Sequence, residues 1–300
     1  MLSPYLICGA TGNVGSRIAE LLLAAGKPVR VIGRDRVRLA PLAAKGAEPM
    51  PGDLEDPTFL EKAFTGARAV FALIPPKLDA KDQRDYQNRV GDALLSALSK
   101  ARVPRVVTLS SVGAHLPEGT GPILGLHELE SKFERLKEAG VVHLRPGYFM
   151  ENHLYGIPVI RGNGVYGSPT RPDMPIPMVA TKDIGEEAAR LLLVEPFTGH
   201  TVRYLLGPRD LTMTEATRIL GEAIGDPGLR YVQFPEEDAR KAMSGMGMSD
   251  SVVEALLEMY RGFNAGKIRP TQERSAENTT ATTLEEFAQA IFAPVYRAAA

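Results

Sequence analysis

Short apolar runs alternate with amphipathic stretches through the first half of the chain. Residues 5–8 read as a strand. Val14, Ile18, Leu21, Leu22 and Ala25 then recur at helical spacing as far as Gly26, whose missing side chain suits a helix C-terminus. The same logic predicts a strand at 29–32, a helix at 37–44, a short strand at 48–50 and a helix at 58–64. Residues 69–74 read as a buried strand stopped by Pro75 and Pro76, and 82–101 as a long helix. A strand at 105–109, a helix at 126–139 ended by Gly140, and a strand at 141–144 close the series.

Strand and helix alternate with short connections, and the strands are apolar nearly throughout. That predicts a parallel sheet covered by helices on both faces and joined by right-handed crossovers. After about residue 150 the pattern weakens. Residues 156–178 are rich in Gly and Pro and read as loops or short strands. A helix at 183–193, a strand at 201–205 and a helix at 214–224 follow, the last with Thr212 or Thr214 as its cap. Val252, Val253, Leu256, Leu257, Tyr260 and Phe263 form an apolar stripe on another helix, and 284–292 is the last. The expected fold is therefore α/β: a Rossmann-type doubly wound parallel sheet with a smaller, mostly helical C-terminal lobe. Residues 1–155 form the first domain, with 180–206 returning to it. Residues 156–179 and 207–300 form the smaller lobe, which binds substrate or partner.

The first strand runs into Gly9-Ala10-Thr11-Gly12-Asn13-Val14-Gly15, and the first helix opens from it. Glycines at this spacing permit a tight turn and let the backbone approach a pyrophosphate closely. The free N–H groups and positive dipole end of the helix favour the anion. Gly9, Thr11, Gly12, Asn13, Val14 and Gly15 are accordingly candidate dinucleotide contacts. The alternative is a tight turn whose glycines serve packing only. The second strand ends Val31-Ile32-Gly33-Arg34-Asp35-Arg36. An NAD site places a carboxylate here for the ribose hydroxyls. Arg34 instead offers a guanidinium for a 2′-phosphate, with Arg36 and Arg38 adding charge, so NADP(H) is expected over NAD(H). In the competing reading these arginines are solvated and Asp35 serves the ribose.

These residues, together with Gly52-Asp53-Leu54, Leu109-Ser110-Ser111, Leu144-Arg145-Pro146-Gly147-Tyr148-Phe149-Met150-Glu151-Asn152 and Asp183-Ile184-Gly185, resemble the NmrA-like family of atypical short-chain dehydrogenase/reductases. The resemblance spans nearly the whole chain. It implies that Asp53 and Leu54 border the adenine, that Ala72, Leu73 and Ile74 line the nicotinamide ribose, and that Pro146, Gly147, Tyr148 and Phe149 contact the nicotinamide end. Asp53 has a competing reading as a turn or helix-cap residue.

Ordinary members of the wider superfamily pair a Tyr with a Lys four residues later, whose ammonium lowers the phenol pKa. None of the nine tyrosines has lysine at that spacing. His127 stands where the tyrosine is expected, followed by Ser131 and Lys132. His127 is therefore a candidate proton donor, or else a histidine that only bonds the cofactor or a backbone carbonyl. Ser110 and Ser111 are candidate ligands for a substrate oxygen. His115, His143, His153 and His200 show no metal-ligand spacing, so no metal is expected. No G-x-S-x-G elbow is present, which argues against a hydrolase.

Composition narrows the setting. The 35 basic and 36 acidic residues give a net charge of −1 without a long like-charged run, so neither nucleic acid nor an anionic membrane is an expected partner. The single cysteine, Cys8, fits a reducing compartment. With no signal-peptide pattern and no run of about 18 apolar residues, the cytoplasm is the expected location. Three functions fit. The favoured one is a reductase passing hydride from NAD(P)H to an electron-poor small molecule such as a quinone or azo compound, with Tyr148 and Phe149 framing an apolar pocket and the methionines of 243–248 either joining them or filling gaps in the core. In the second, a non-catalytic NADP(H) sensor reports to a regulatory protein partner, docked on the stripe from Val252 to Phe263 unless that stripe is core of the small lobe. The third is an isomerase or biosynthetic reductase on the same fold.

Overall fold

The structure is a computed structural model and describes residues 3–194 and 197–299. Its strands are β1 (Tyr5–Ile7), β2 (Val29–Gly33), β3 (Glu48–Pro51), β4 (Ala69–Ala72), β5 (Arg105–Leu109), β6 (Gly140–Pro146), β7 (Tyr148–Phe149), β8 (Val165–Ser168), β9 (Ile176–Val179), β10 (His200–Leu205), β11 (Asp210–Leu211) and β12 (Arg230–Gln233). The helices are α1 (Asn13–Ala24), α2 (Arg36–Ala44), α3 (Pro57–Phe64), α4 (Gln83–Lys100), α5 (Ile123–Phe133), α6 (Ile157–Asn163), α7 (Thr181–Leu193), α8 (Met213–Ile224), α9 (Glu236–Gly245), α10 (Asp250–Asn264), α11 (Leu284–Phe287) and α12 (Ala293–Ala298).

Seven strands form one sheet in the order β10-β6-β5-β4-β1-β2-β3, each pair parallel. The chain starts at β1, winds out to β3, then restarts beside β1 and winds to the other edge. This reversal between β1 and β4 splays the following loops apart and opens a crevice at the strand C-termini, the usual ligand position in such sheets. Alternation along each strand divides the core. Leu6, Cys8, Val70, Ala72 and Val106 face α4, against Val90, Leu94 and Leu98. Tyr5, Ile7, Phe71, Val107 and Leu144 face α1 and α7, against Ile18, Leu22, Ile184 and Ala188.

The Asp-Ile-Gly segment on α7 gains its physical reason here. Gly185 lets α7 lie against α1, since a Cβ there would stand 2.8 Å from the Arg17 Cβ. Ile184 is in the core, and the buried Asp183 accepts from Thr282 N at 2.9 Å and Thr282 Oγ1 at 2.5 Å. Glu151, from the Glu-Asn segment, accepts from Thr181 N at 3.0 Å and so caps α7 from a distance.

The smaller lobe has its own core, in which Ile176, Met178, Ile219, Leu220, Phe287 and Phe292 meet. It contains the sheet β11-β9-β7 and the pair β12-β8. Thr212 and Glu215 form a capping box at α8, which decides between the two candidate caps. The last helix is continuous from Leu284 to Ala298 but widens into a π turn at Ala288–Phe292. Pro294 follows that turn, where it lacks the N–H that a regular helix would use.

Several boundaries differ from expectation. Helix α5 begins at Ile123 and stops at Phe133 rather than spanning 126–139. Past Phe133 the bonds tighten to three-residue turns, Arg135 N to Lys132 O and Leu136 N to Phe133 O, and Gly140 already belongs to β6. Residues 156–178 hold the expected short strands, β8 and β9, but also an unforeseen helix: Ile157 and Ile160 bury one face of α6, which ends at Gly164 with φ of 65°. The stripe from Val252 to Phe263 is not a free surface. Val252, Val253 and Leu257 are buried, and the others pack at least partly beneath neighbouring segments. Met243 and Met248 join that packing, whereas Met246 is exposed. No helix among the described residues is long and apolar enough to cross a membrane.

Candidate active site

The glycine loop joins β1 to α1 at the C-terminal edge of the sheet. Gly9 has φ of +62°, a region that L side chains rarely adopt, and a Cβ there would meet Leu73 at 2.9 Å. A Cβ on Gly15 would stand 2.4 Å from the Gly9 carbonyl oxygen, so helix and loop can close only around a glycine. Gly12 is the N-cap of α1 and provides no side-chain hydrogen bond. The opening N–H groups of the helix are therefore left for a ligand, and an anion is what such a terminus favours. A tight turn that only glycine can close and a helix start without a side-chain cap together fit a pyrophosphate.

On the other side of the glycine loop, Arg34 is exposed just beyond β2. Asp35 is directed elsewhere: its Oδ1 accepts from Val37 N at 2.8 Å, capping α2. The guanidinium of Arg38 donates to the Thr11 carbonyl at 3.0 Å, which ties the start of α2 to the glycine loop. Arg38 is thus more than added charge, and its place in the first turn of α2 is what brings it to the loop. Asp53 does not cap α3, a task done by Asp56. It closes a turn by accepting from Glu55 N at 3.0 Å, and it remains exposed. Leu54 is buried in the core, so little of its side chain faces the crevice.

Ala72 is fully buried and offers only backbone to the crevice, while Leu73 and Ile74 are half-buried at the end of β4. Pro146 is buried. Gly147, Tyr148 and Phe149 are half-buried, with Tyr148 and Phe149 paired to Met178 and Val179 of the small lobe. Gly147 passes so close to β9 that a Cβ would meet the Pro177 carbonyl oxygen at 2.3 Å. The Tyr148 ring begins an aromatic series through His153 at 5.3 Å, Tyr166 at 5.6 Å from His153, and Tyr231 at 5.9 Å from Tyr166. Burial pushes the Tyr148 phenol pKa up, so it stays protonated at neutral pH.

His127 lies on α5, half-buried, with Nδ1 2.9 Å from the Ala114 carbonyl oxygen. A carbonyl only accepts, so Nδ1 carries the proton and Nε2 is the basic nitrogen. Lys132 is turned away from this face, its ammonium 2.5 Å from Asp92 on α4. Ser111 is half-buried and donates to the Val112 carbonyl at 2.9 Å. Ser110, by contrast, is not free to hold a substrate oxygen. It is buried and donates to Glu130 Oε1 at 2.5 Å.

That contact exposes a residue missed in the sequence. Glu130 is buried on α5, three positions after His127, and Arg145 grips its carboxylate through Nε at 3.0 Å and Nη2 at 2.5 Å. Arg145 also donates to the Tyr204 hydroxyl at 3.1 Å. The Arg of the Arg-Pro-Gly segment thus fastens α5 to β6 and β10 and sets where His127 stands. A glutamate amid a run of charged residues on a helix gave no signal by itself; its spacing from His127 was the only clue.

The NmrA-like family matches residues 3–288. An NAD(P)H azoreductase of Xenophilus azovorans is 30% identical over 259 residues, 85% of this chain and 85% of the relative. Among solved structures, an NADPH-dependent quinone oxidoreductase of Escherichia coli complexed with NADPH superposes with a TM-score of 0.79 at 23% identity, covering 96% of this chain and 99% of that one. A triphenylmethane reductase of Citrobacter complexed with NADP(H) gives a TM-score of 0.78 at 20% identity, covering 96% and 100%.

Proposed function

The chain belongs to the NmrA-like family, and we propose on that footing that it is an NAD(P)H-dependent reductase of electron-poor small molecules, quinones or azo compounds among them. The observation that carries this reading is the bare cradle of Gly9, Gly12 and Gly15 at an uncapped helix. The azoreductase relative supports the acceptor class.

Thr11, Asn13 and Val14 complete the pyrophosphate cradle, Asp53 and Leu54 border the adenine, and Leu73 and Ile74, with the backbone of Ala72, flank the nicotinamide ribose. Pro146, Gly147, Tyr148 and Phe149 form the wall at the nicotinamide end. Arg34 favours NADPH over NADH, because Asp35 caps α2 through Oδ1 while the exposed Arg34 guanidinium is left for a 2′-phosphate, with Arg38, tied to the Thr11 carbonyl, adding charge beside it. When bound, NADPH supplies the hydride. The chain's own work is to orient and to exclude water. Tyr148 provides an aromatic face for a planar acceptor. Such acceptors take their proton from water after reduction, so a strong protein acid is not required. His127 Nε2 and the Ser111 hydroxyl orient the acceptor's polar atom. The nucleotide-binding part comprises residues 1–155 and 180–206, with the remainder forming the substrate lobe.

The decisive measurement is NADPH absorbance decay against a panel of quinones and azo dyes. Turnover that falls on His127→Ala supports the assignment. Tight NADPH binding without decay across the panel would replace it with a cofactor sensor.

A further inference from the structure

On the face of the sheet covered by α5, two histidines meet at the β10 edge, three strands away from the strand that carries the glycine loop. His143 lies in β6 and is 2% exposed; His200 opens β10, the neighbouring strand. His200 pairs with Val141, two residues from His143, so both rings stand on one face as diagonal neighbours, 6.5 Å apart between centroids. Glu134, just past the end of α5, brings its carboxylate 3.5 Å from His200 Nδ1.

The outer nitrogen of each ring is already held. His200 Nε2 lies 3.2 Å from the Leu136 carbonyl oxygen and must donate to it. His143 Nδ1 is 2.7 Å from the hydroxyl of the fully buried Thr108. The two inner nitrogens, His143 Nε2 and His200 Nδ1, are buried without a hydrogen-bond partner. Unsatisfied buried polar atoms are costly, and two converging on a carboxylate call for a common occupant. Metal-binding histidines are held in this way, with one ring nitrogen inward and the other fixed by a hydroxyl or carbonyl.

We propose that His143, His200 and Glu134 form a binding site for a divalent transition metal of the zinc class, completed by water. The three ligand atoms lie within 4.8 Å of one another. A tetrahedral zinc site with ligand bonds of about 2.0–2.1 Å needs separations of about 3.4 Å, so closure requires a shift on the order of 1 Å. Glu134, with 59% of its side chain exposed, can supply much of it. Imidazole and carboxylate donors suit zinc better than the oxygen-seeking calcium or magnesium. The ion would tie the C-terminal end of α5 to β6 and the edge strand β10. Sequence spacing hid the site because the histidines are neighbours only through strand pairing.

The test uses the full-length chain, stripped with chelator and titrated with zinc chloride by calorimetry, then with cobalt(II) followed by its visible absorption. One ion per chain, with both His143→Gln and His200→Gln weakening zinc at least about tenfold while NADPH binding persists, is the expected result. Thr108→Val, which removes only the outer partner, should weaken zinc by about 10–100-fold. Should His143→Gln fail to fold, His200→Gln and Glu134→Ala, at more exposed positions, carry the comparison. No zinc binding by the wild-type chain, or binding undiminished in the His200 and Glu134 variants, overturns the proposal.

Discussion

A single methyl group at Gly15 tests the candidate cofactor site most directly. Its Cβ would fall 2.4 Å from a backbone oxygen, which no side-chain rotation relieves. Gly15→Ala should cost about 1–3 kcal/mol of stability and weaken NADPH at least about tenfold, measured by urea unfolding and fluorescence titration. Arg34→Ala should weaken NADPH by roughly 10–100-fold and NADH by little, since a charge-assisted bond is worth about 1.5–3 kcal/mol; equal losses would remove the phosphate assignment. His153 governs a different property. It is fully buried between Tyr148 and Tyr166, and burial lowers its pKa from 6.5 to about 3. The unfolded chain protonates near 6.5 and the native chain only near 3, so this contribution is complete above the first value and erodes on acidification, by about 1.4 kcal/mol per pH unit between the two. Urea midpoints at pH 7 and pH 5 should show a steeper acid loss in wild type than in His153→Gln; parallel slopes would contradict it. Residue types announced the glycine cradle, because only glycine meets its geometry. They did not announce that Asp56 rather than Asp53 caps α3, or that Ser110 is consumed by Glu130, since both depend on where a side chain turns.

Between elements, the decisive link is the clasp of Glu130 on α5 with Arg145 on β6. Each side chain is 11% exposed. Removing one partner leaves the other charge buried, so Glu130→Ala should cost about 3–5 kcal/mol, whereas the paired replacement Glu130→Leu with Arg145→Met should be much closer to neutral. Chemical denaturation of the single and double variants checks this. Loss of the clasp should also free α5 and with it His127. Periodicity located α5 but misjudged both ends, because the short turns after Phe133 continue an apolar rhythm without continuing a helix. The alternating strands of the first half were more legible, since burial on both faces leaves them nearly free of polar residues. Polar exceptions such as Thr108, His143 and Arg145 are where tertiary contacts override that pattern.

For the molecule as a whole, the order of strands and helices sufficed to foresee a doubly wound sheet, because short connections and chirality leave few alternatives. How the second half folds back was harder to foresee, since its anchors join distant positions: Glu151 to Thr181, Asp183 to Thr282, Tyr148 to Met178. Ligand linkage tests the assembled protein. NADPH at a hundred times its dissociation constant should add about 2.7 kcal/mol to unfolding, read as a rise in midpoint temperature. The chain leaves the large sheet after β6, returns in α7 and β10, and leaves again. A nick between β7 and β8 would therefore release neither sheet intact: the first fragment would keep β7 of the small sheet, and the second would carry away β10 of the large one.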